Sequence, residues 1–131
     1  MSPSPKARDY MSTSLVTFTP DTDIHRAIGT LLGNRISGAP VVDERGRLVG
    51  ILSSKDCLKV AFSASYYQEP GGTVSDYMSR EVKTVDAAAD IVEVAEMFVK
   101  GPFRRFPVMD NGKLVGVLSR HDILKAIKDL W

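Results

Sequence analysis

The sequence is short of the residues on which many catalytic and metal-binding proteins depend. Its 131 residues hold one cysteine, Cys57, and two histidines, His25 and His121. A single thiol excludes an intrachain disulfide, and with only two histidines beside it a closed Cys/His zinc site lacks ligands. Charge of one sign is also missing, since seventeen basic side chains face sixteen acidic ones for a formal net charge of +1. No global field therefore draws the chain to nucleic acid or to an anionic membrane. Long apolar runs are absent too: the stretch from Leu114 to Leu118 is far short of the roughly 20 residues that span a bilayer. Met1 to Lys6 lacks the apolar core of a secretory signal, which points to the cytoplasm. Gly71-Gly72 lacks the Lys-Ser/Thr that would make it a phosphate loop. What remains, 44% apolar and 25% charged residues, is the composition of a soluble globular chain with room for about one ordinary domain.

The chain is duplicated. Asp9-Tyr10-Met11-Ser12 recurs as Asp76-Tyr77-Met78-Ser79, and at the same offset of 67 Thr17 falls on Thr84, Asp23-Ile24 on Asp90-Ile91, Pro40-Val41 on Pro107-Val108 and Asp43 on Asp110. One extra residue in the first turn then makes the offset 66. Leu48-Val49-Gly50 matches Leu114-Val115-Gly116, Leu52-Ser53 matches Leu118-Ser119, Asp56 matches Asp122, and Leu58-Lys59 matches Leu124-Lys125, giving eighteen identities in order. The period is longer than that of solenoid repeats. Each copy alone is marginal as a core, so the two should pack on one another.

Both copies carry the same element pattern. Ile24, Ala27, Ile28, Leu31 and Leu32 in the first, and Ile91, Val94, Ala95, Phe98 and Val99 in the second, mark an amphipathic helix with one buried stripe. Asp21 and Asp86 are the expected N-caps. Strands follow over Ala39 to Asp43 and Phe106 to Asp110, then turns at Arg45-Gly46 and Asn111-Gly112, then strands over Leu48 to Ser53 and Leu114 to Ser119. Asn-Gly is the signature of a type I′ hairpin. Short leading strands at Val16 to Phe18 and Lys83 to Val85, and a closing helix in each copy, complete a β-α-β-β-α order. Ile123, Leu124, Ile127, Leu130 and Trp131 form the apolar face of the last helix. The copies span 7–62 and 74–131, and the segment 63–73, with Glu69-Pro70-Gly71-Gly72, has linker chemistry.

This element order, with Asp-Tyr-Met at the start of each copy, Pro-Val-Val-Asp or Pro-Val-Met-Asp before the turn, and Leu-Val-Gly-Ile-Leu-Ser-Ser-Lys-Asp or Leu-Val-Gly-Val-Leu-Ser-Arg-His-Asp after it, resembles the CBS-domain family, whose members occur as tandem pairs (Bateman modules). The resemblance implies an α+β, sandwich-like fold of two repeats packed through their sheets with pseudo-twofold symmetry, assembling as a homodimeric disk. It also implies a non-enzymatic module that binds AMP, ADP, ATP or S-adenosylmethionine between the copies and regulates another protein, with no required cofactor, metal, membrane or nucleic acid. Two rivals stand beside that reading: an assembly module whose clefts are vestigial and, more distantly, an enzyme.

The candidate residues each have a plainer explanation. Ser53/Asp56 and Ser119/Asp122 have the spacing of capping boxes. A carboxylate in a first helical turn is also placed to accept both hydroxyls of a ribose, and in the resembling family the Asp of this motif does so. Arg104 and Arg105 have the character of a solvated pair, yet Phe103 and Phe106 flank them and their counterparts are Ser37-Gly38. By the resemblance they meet phosphate in a cleft with Ser53, Asp56, Ser79, Arg80, Val82 and Lys83. The other cleft would join Ser119 and Asp122 to Thr13, Val16 and Ser37, with less positive charge. Lys55 and His121 precede the two Asp residues and are either ligand contacts or partners of those carboxylates. Cys57, matching Ile123, is expected in the core. Phe62, Tyr66, Tyr67 and Trp131 are packing residues or part of a dimer surface.

Overall fold

In the computed structural model a one-turn helix opens each half of the chain, α1 (Ala7–Tyr10) and α4 (Val74–Tyr77). The first half continues with α2 (Ile24–Asn34), β1 (Gly38–Val42), β2 (Leu48–Ser53) and α3 (Ser54–Tyr67). The second half continues with β3 (Val85–Asp86), α5 (Ile91–Lys100), β4 (Arg105–Asp110), β5 (Lys113–Ser119) and α6 (Arg120–Asp129). The structure describes residues 4–67 and 72–131, with the side chains of 63–67 left aside. Glu69-Pro70-Gly71 of the linker and the side chains of Tyr66 and Tyr67 thus lie outside the described residues. The fold is α+β, as the sequence implied. Among the described residues no helix is long and apolar enough to cross a membrane.

Packing does not follow the sequence halves. Residues 16–82 form one compact unit, and residues 1–15 with 83–131 form the other. The leading turn of each repeat is built into the unit of the other repeat. In the 16–82 unit, the Val74 and Ser75 N–H groups donate to the Thr22 and Pro20 carbonyls at 2.9 and 2.8 Å. In the 83–131 unit, the N–H groups of Ala7 and Arg8 donate to Ala89 and Ala87 at 2.8 and 2.9 Å. Ala7 and Val74 are completely buried there.

Two glycines make this exchange possible. A Cβ on Gly50 would lie 2.8 Å from both the Met78 Sδ and the Ser79 carbonyl oxygen, and one on Gly116 would lie 2.5 Å from Met11 Sδ and 2.9 Å from the Ser12 oxygen. Their strands thus accept Met78-Ser79 and Met11-Ser12 at backbone distance, which a side chain would forbid. Two mutual backbone bonds fix each approach, Ile51 with Ser79 (2.9 Å each way) and Val117 with Ser12 (3.0 and 2.9 Å).

Each unit has its own hairpin and core. β1 pairs antiparallel with β2, and β4 with β5. Asn111 and Gly112 have φ of 50° and 78°, the two positive angles that a type I′ turn requires. The leading strands are shorter than expected. Val16 to Phe18 contributes a single parallel bridge from Phe18 to Val41, whereas β3 makes two, Val85 to Val108 and Asp86 to Met109. The cause is Pro20: its counterpart Ala87 donates its N–H to Met109 at 2.8 Å, and proline has no such donor.

The caps also differ from expectation. Asp23 and Asp90, not Asp21 and Asp86, precede the helices and accept N–H groups of the first turn, from Arg26 at 3.0 Å and Val92 at 2.8 Å. Asp21 instead accepts the Thr19 hydroxyl, which lowers its pKa, and Asp86 accepts the N–H of Ala88 two residues on. Leu32 and Val99 leave the expected buried stripe and are 74% and 85% exposed. At 100° per residue each lies about 80° from the helix's first core position, at the margin of the stripe. Leu124, Leu130 and Trp131 are exposed for the same reason or because they lie past the helix. Ile24, Leu31, Val41 and Leu52 centre one core, and Ile91, Phe98, Phe106 and Leu118 the other. Each such side chain contributes roughly 1.5–3 kcal/mol on burial.

Candidate functional site

In each unit the second strand of the hairpin ends on serine, and the following helix carries an aspartate in its first turn. One oxygen of Asp56, Oδ2, accepts both the Ser53 N–H and the Ser53 hydroxyl at 2.9 Å, while the Asp56 N–H donates back to Ser53 Oγ at 3.1 Å. Asp122 repeats this with Ser119 at 2.8, 3.0 and 3.3 Å. The capping-box geometry expected from the spacing is therefore present, and it occupies one oxygen of each carboxylate. The other oxygen of Asp56, Oδ1, faces Lys59 Nζ at 3.7 Å. Asp56 is the one buried charged residue among those described, 7% exposed, while Asp122 is half-buried.

The remaining candidates divide between the units. Beside Ser53 and Asp56 the 16–82 unit brings Ser79, whose backbone bonds to Ile51 lie two residues before Ser53 on β2. Ser37 joins them, its carbonyl accepting the N–H and hydroxyl of Ser54 at 2.8 and 3.2 Å. Arg80 is exposed and folds back toward α4, donating to Ser75 Oγ at 2.8 Å. Val82 is the last residue of the unit, Val16 packs on its core, and Lys55 is exposed.

In the other unit, Ser12 pairs with Val117 two residues before Ser119, so Thr13 follows the same course that residue 80 takes in the 16–82 unit. Arg105 stands across the ladder from Ser119. It is half-buried, and burial first, then the nearby Arg104 charge, lowers its pKa. Arg104, Lys83 and His121 are exposed. Arg120 donates to the Phe103 carbonyl at 2.9 Å. Cys57 is partly buried against the core, with its pKa raised by burial and then by Asp56.

Sequence reasoning missed Lys59 and Ser54. The three-residue spacing from Asp56 signals the first. The second follows only from the register that sets Gly38 opposite Ser53.

Each site is thus a helix N-terminus, a carboxylate with one oxygen committed to the cap, and a crossing backbone segment held alongside. The family model for the CBS domain matches this chain twice, over residues 7–63 and 74–129. The chain belongs to the CBS-domain family. As a CBS pair it is 28% identical to a structure of CBSX2 in complex with AMP, covering 95% of this chain and 97% of that one with a TM-score of 0.84. It is also 28% identical to the CBS domain pair of protein MJ0100 in complex with 5′-methylthioadenosine and S-adenosyl-L-methionine, covering 98% and 100% with a TM-score of 0.82. Among curated relatives, an uncharacterized protein, MJ1225, of Methanocaldococcus jannaschii is 28% identical over 95% of this chain and 43% of its own length. An A-adding tRNA nucleotidyltransferase of Aquifex aeolicus is 33% identical over 95% of this chain and 14% of its own length. The CBS pair therefore spans less than half of either curated relative.

Proposed function

We propose that this CBS pair is a non-catalytic regulatory module that binds an adenosyl ligand of the AMP, ADP or ATP type at its capping-box carboxylates. The observation that carries the reading is the pair of carboxylates at Asp56 and Asp122, each keeping one oxygen outside its cap. A ribose diol donates two hydrogen bonds, and each such bond to a charged acceptor contributes about 1.5–3 kcal/mol. The AMP and S-adenosyl-L-methionine complexes of its relatives support the ligand class. Charge for a phosphate is supplied by Arg104, Arg105 and Lys83 in the one unit and by Lys55 beside Asp56 in the other. Asp56 and Ser53 serve the phosphate-bearing ligand with Ser79, Arg80 and Val82. Asp122, Ser119, His121 and Thr13 serve a nucleoside or S-adenosylmethionine, while Ser37 and Val16 stand in the unit of Asp56.

Occupancy acts through the crossing segments. The chain passes Ser53 at Ser79 and leaves the unit after Val82; it passes Ser119 at Ser12 and leaves after Leu15. A ligand that orders either segment favours one arrangement of the two units, by no more than its differential affinity for the two states. The regulated activity belongs to a protein partner of the module. The pair self-associates through the apolar side chains left exposed on its helices, Leu32, Leu58 and Phe62 in one unit and Val99 and Leu124 in the other.

A thermal-shift panel of AMP, ADP, ATP, NAD and S-adenosylmethionine tests the reading. A ligand at 100 times its dissociation constant adds about 2.7 kcal/mol of stability. No shift from any of them at millimolar concentration overturns it in favour of an assembly module. With a nucleotide that binds, Asp56→Ala and Arg105→Ala weaken it and Asp122→Ala leaves it largely intact; the reverse pattern moves the phosphate to the Asp122 site.

A further inference from the structure

We infer that Lys59 sets the Asp56 site apart from the Asp122 site: it stands as the counter-ion of the empty Asp56 carboxylate, and a ribose diol has to displace it. The inference rests on the adenosyl-ligand reading proposed above and adds how that ligand enters one of the two sites. Every group it uses lies in the 16–82 unit. A carboxylate offers about four acceptor positions, two on each oxygen. On Asp56 those of Oδ2 are filled by the Ser53 N–H and the Ser53 hydroxyl, both at 2.9 Å. The positions on Oδ1 remain, and they are what the two hydroxyls of a ribose need.

Lys59 covers that oxygen without closing it. Its Nζ lies 3.7 Å from Oδ1, beyond the roughly 3.2 Å reach of an N–H···O hydrogen bond, so charge alone holds it there. The lysine side chain is 64% exposed and that of Asp56 11%, so the ammonium is free to swing into water while the carboxylate stays. A charge as buried as Asp56 requires an opposite charge or hydrogen-bond donors beside it. In the empty site Lys59 and the cap supply them. The second repeat lacks this arrangement although its sequence is the same. Lys125 follows Asp122 at the same three-residue spacing on α6, yet the two make no ion pair among the described residues. Asp122 is only half-buried, open enough for solvent to balance its charge. Duplication has thus left one carboxylate covered by a lysine and one uncovered.

Calorimetric titration of adenosine, a neutral probe that carries the diol without a phosphate, tests one site at a time. In an Asp122→Asn background, which leaves Asp56 as the single capping-box carboxylate, Lys59→Met keeps the aliphatic stem and removes the charge. It tightens adenosine by about fivefold, the upper end of the range for exposed ion pairs because one partner is buried. Lys59→Arg, which keeps the charge, does not tighten it, and Lys125→Met in an Asp56→Asn background leaves adenosine binding unchanged. Salt gives a readout that a merely structural role for Lys59 does not move. Raising ionic strength from about 0.01 M to about 1 M shortens the Debye length from about 30 Å to about 3 Å, below the 3.7 Å of the pair. Adenosine therefore binds the chain with Lys59 more tightly as salt rises, and Lys59→Met shows no such gain. Unchanged or weaker adenosine binding in Lys59→Met, or an equal gain in Lys125→Met, overturns the role of Lys59 and leaves the adenosyl site standing. Absence of both adenosine and AMP binding from all of these proteins, wild type included, overturns the adenosyl reading and this inference with it.

Discussion

Replacing Gly116 with alanine tests whether the exchanged leading segment is held by backbone proximity. The new methyl would sit 2.5 Å from Met11 Sδ and 2.9 Å from the Ser12 carbonyl oxygen, against a comfortable separation of about 3.5–4.0 Å for carbon contacts. Met11 can swing its thioether aside. The Ser12 oxygen cannot, because it is fixed by the Val117 N–H at 3.0 Å. Two relaxations compete: releasing the two Ser12–Val117 bonds, at about 1 kcal/mol each, or keeping them under overpacking strain of about 1–3 kcal/mol. The cheaper prevails, so Gly116→Ala loses about 2 kcal/mol, a fall in Tm of about 6–10 °C for a chain of this size. Gly29→Ala, the same chemical change in the middle of α2 with no atom within 4 Å, gains up to about 1 kcal/mol from helix propensity. Urea denaturation of dilute protein measures both. Amide exchange at Ser12 and Val117 reports whether the segment has detached. Gly116→Ala within about 0.5 kcal/mol of wild type, with both amides still protected, refutes the reasoning.

Asp23→Ala and Asp90→Ala each cost about 1 kcal/mol through loss of an N-cap, and Asp21→Ala, which removes no helix cap, costs clearly less; chemical denaturation of the three variants gives the order. Because burial favours the neutral Cys57 thiol in the folded state, iodoacetamide modifies it more slowly in the native chain than in the urea-unfolded one, and equal rates contradict its partial burial. By the same linkage the thiol's share of stability is intact below the ordinary thiol pKa and is lost as pH rises through the range above it. That loss is read as a fall in the denaturation midpoint which Cys57→Ala abolishes.

The sequence revealed the elements that repeat because duplication checks every reading twice. Asn111-Gly112 announced its turn, and the Ser-x-x-Asp spacing announced the caps that the structure contains. The same check would have corrected the helix caps, since Asp23 falls on Asp90 at the repeat offset whereas Asp21 and Asp86 are not counterparts. The exchange of leading segments was less legible. It depends on Gly50 and Gly116 admitting a backbone that arrives from the other repeat, and local propensity carries no trace of a distant chain. The exposure of Leu32 and Val99 escaped a pattern that counts apolar residues without asking how wide a stripe one core can cover. The register that sets Arg105 opposite Ser119 is fixed by the hairpin, so the basic pair could be seen in the sequence before its ladder partner could.

Calorimetric titration of AMP into the wild-type chain and into Asp56→Asn and Asp122→Asn variants tests the central claim most directly. Asparagine keeps the shape and one oxygen acceptor for the cap but removes the charge that a ribose diol would use. The account predicts saturable binding to wild type, a loss of about tenfold or more in affinity in at least one variant, and native-like unfolding of both. Binding that is unchanged in both variants, or absent from wild type for AMP and for S-adenosylmethionine alike, contradicts it.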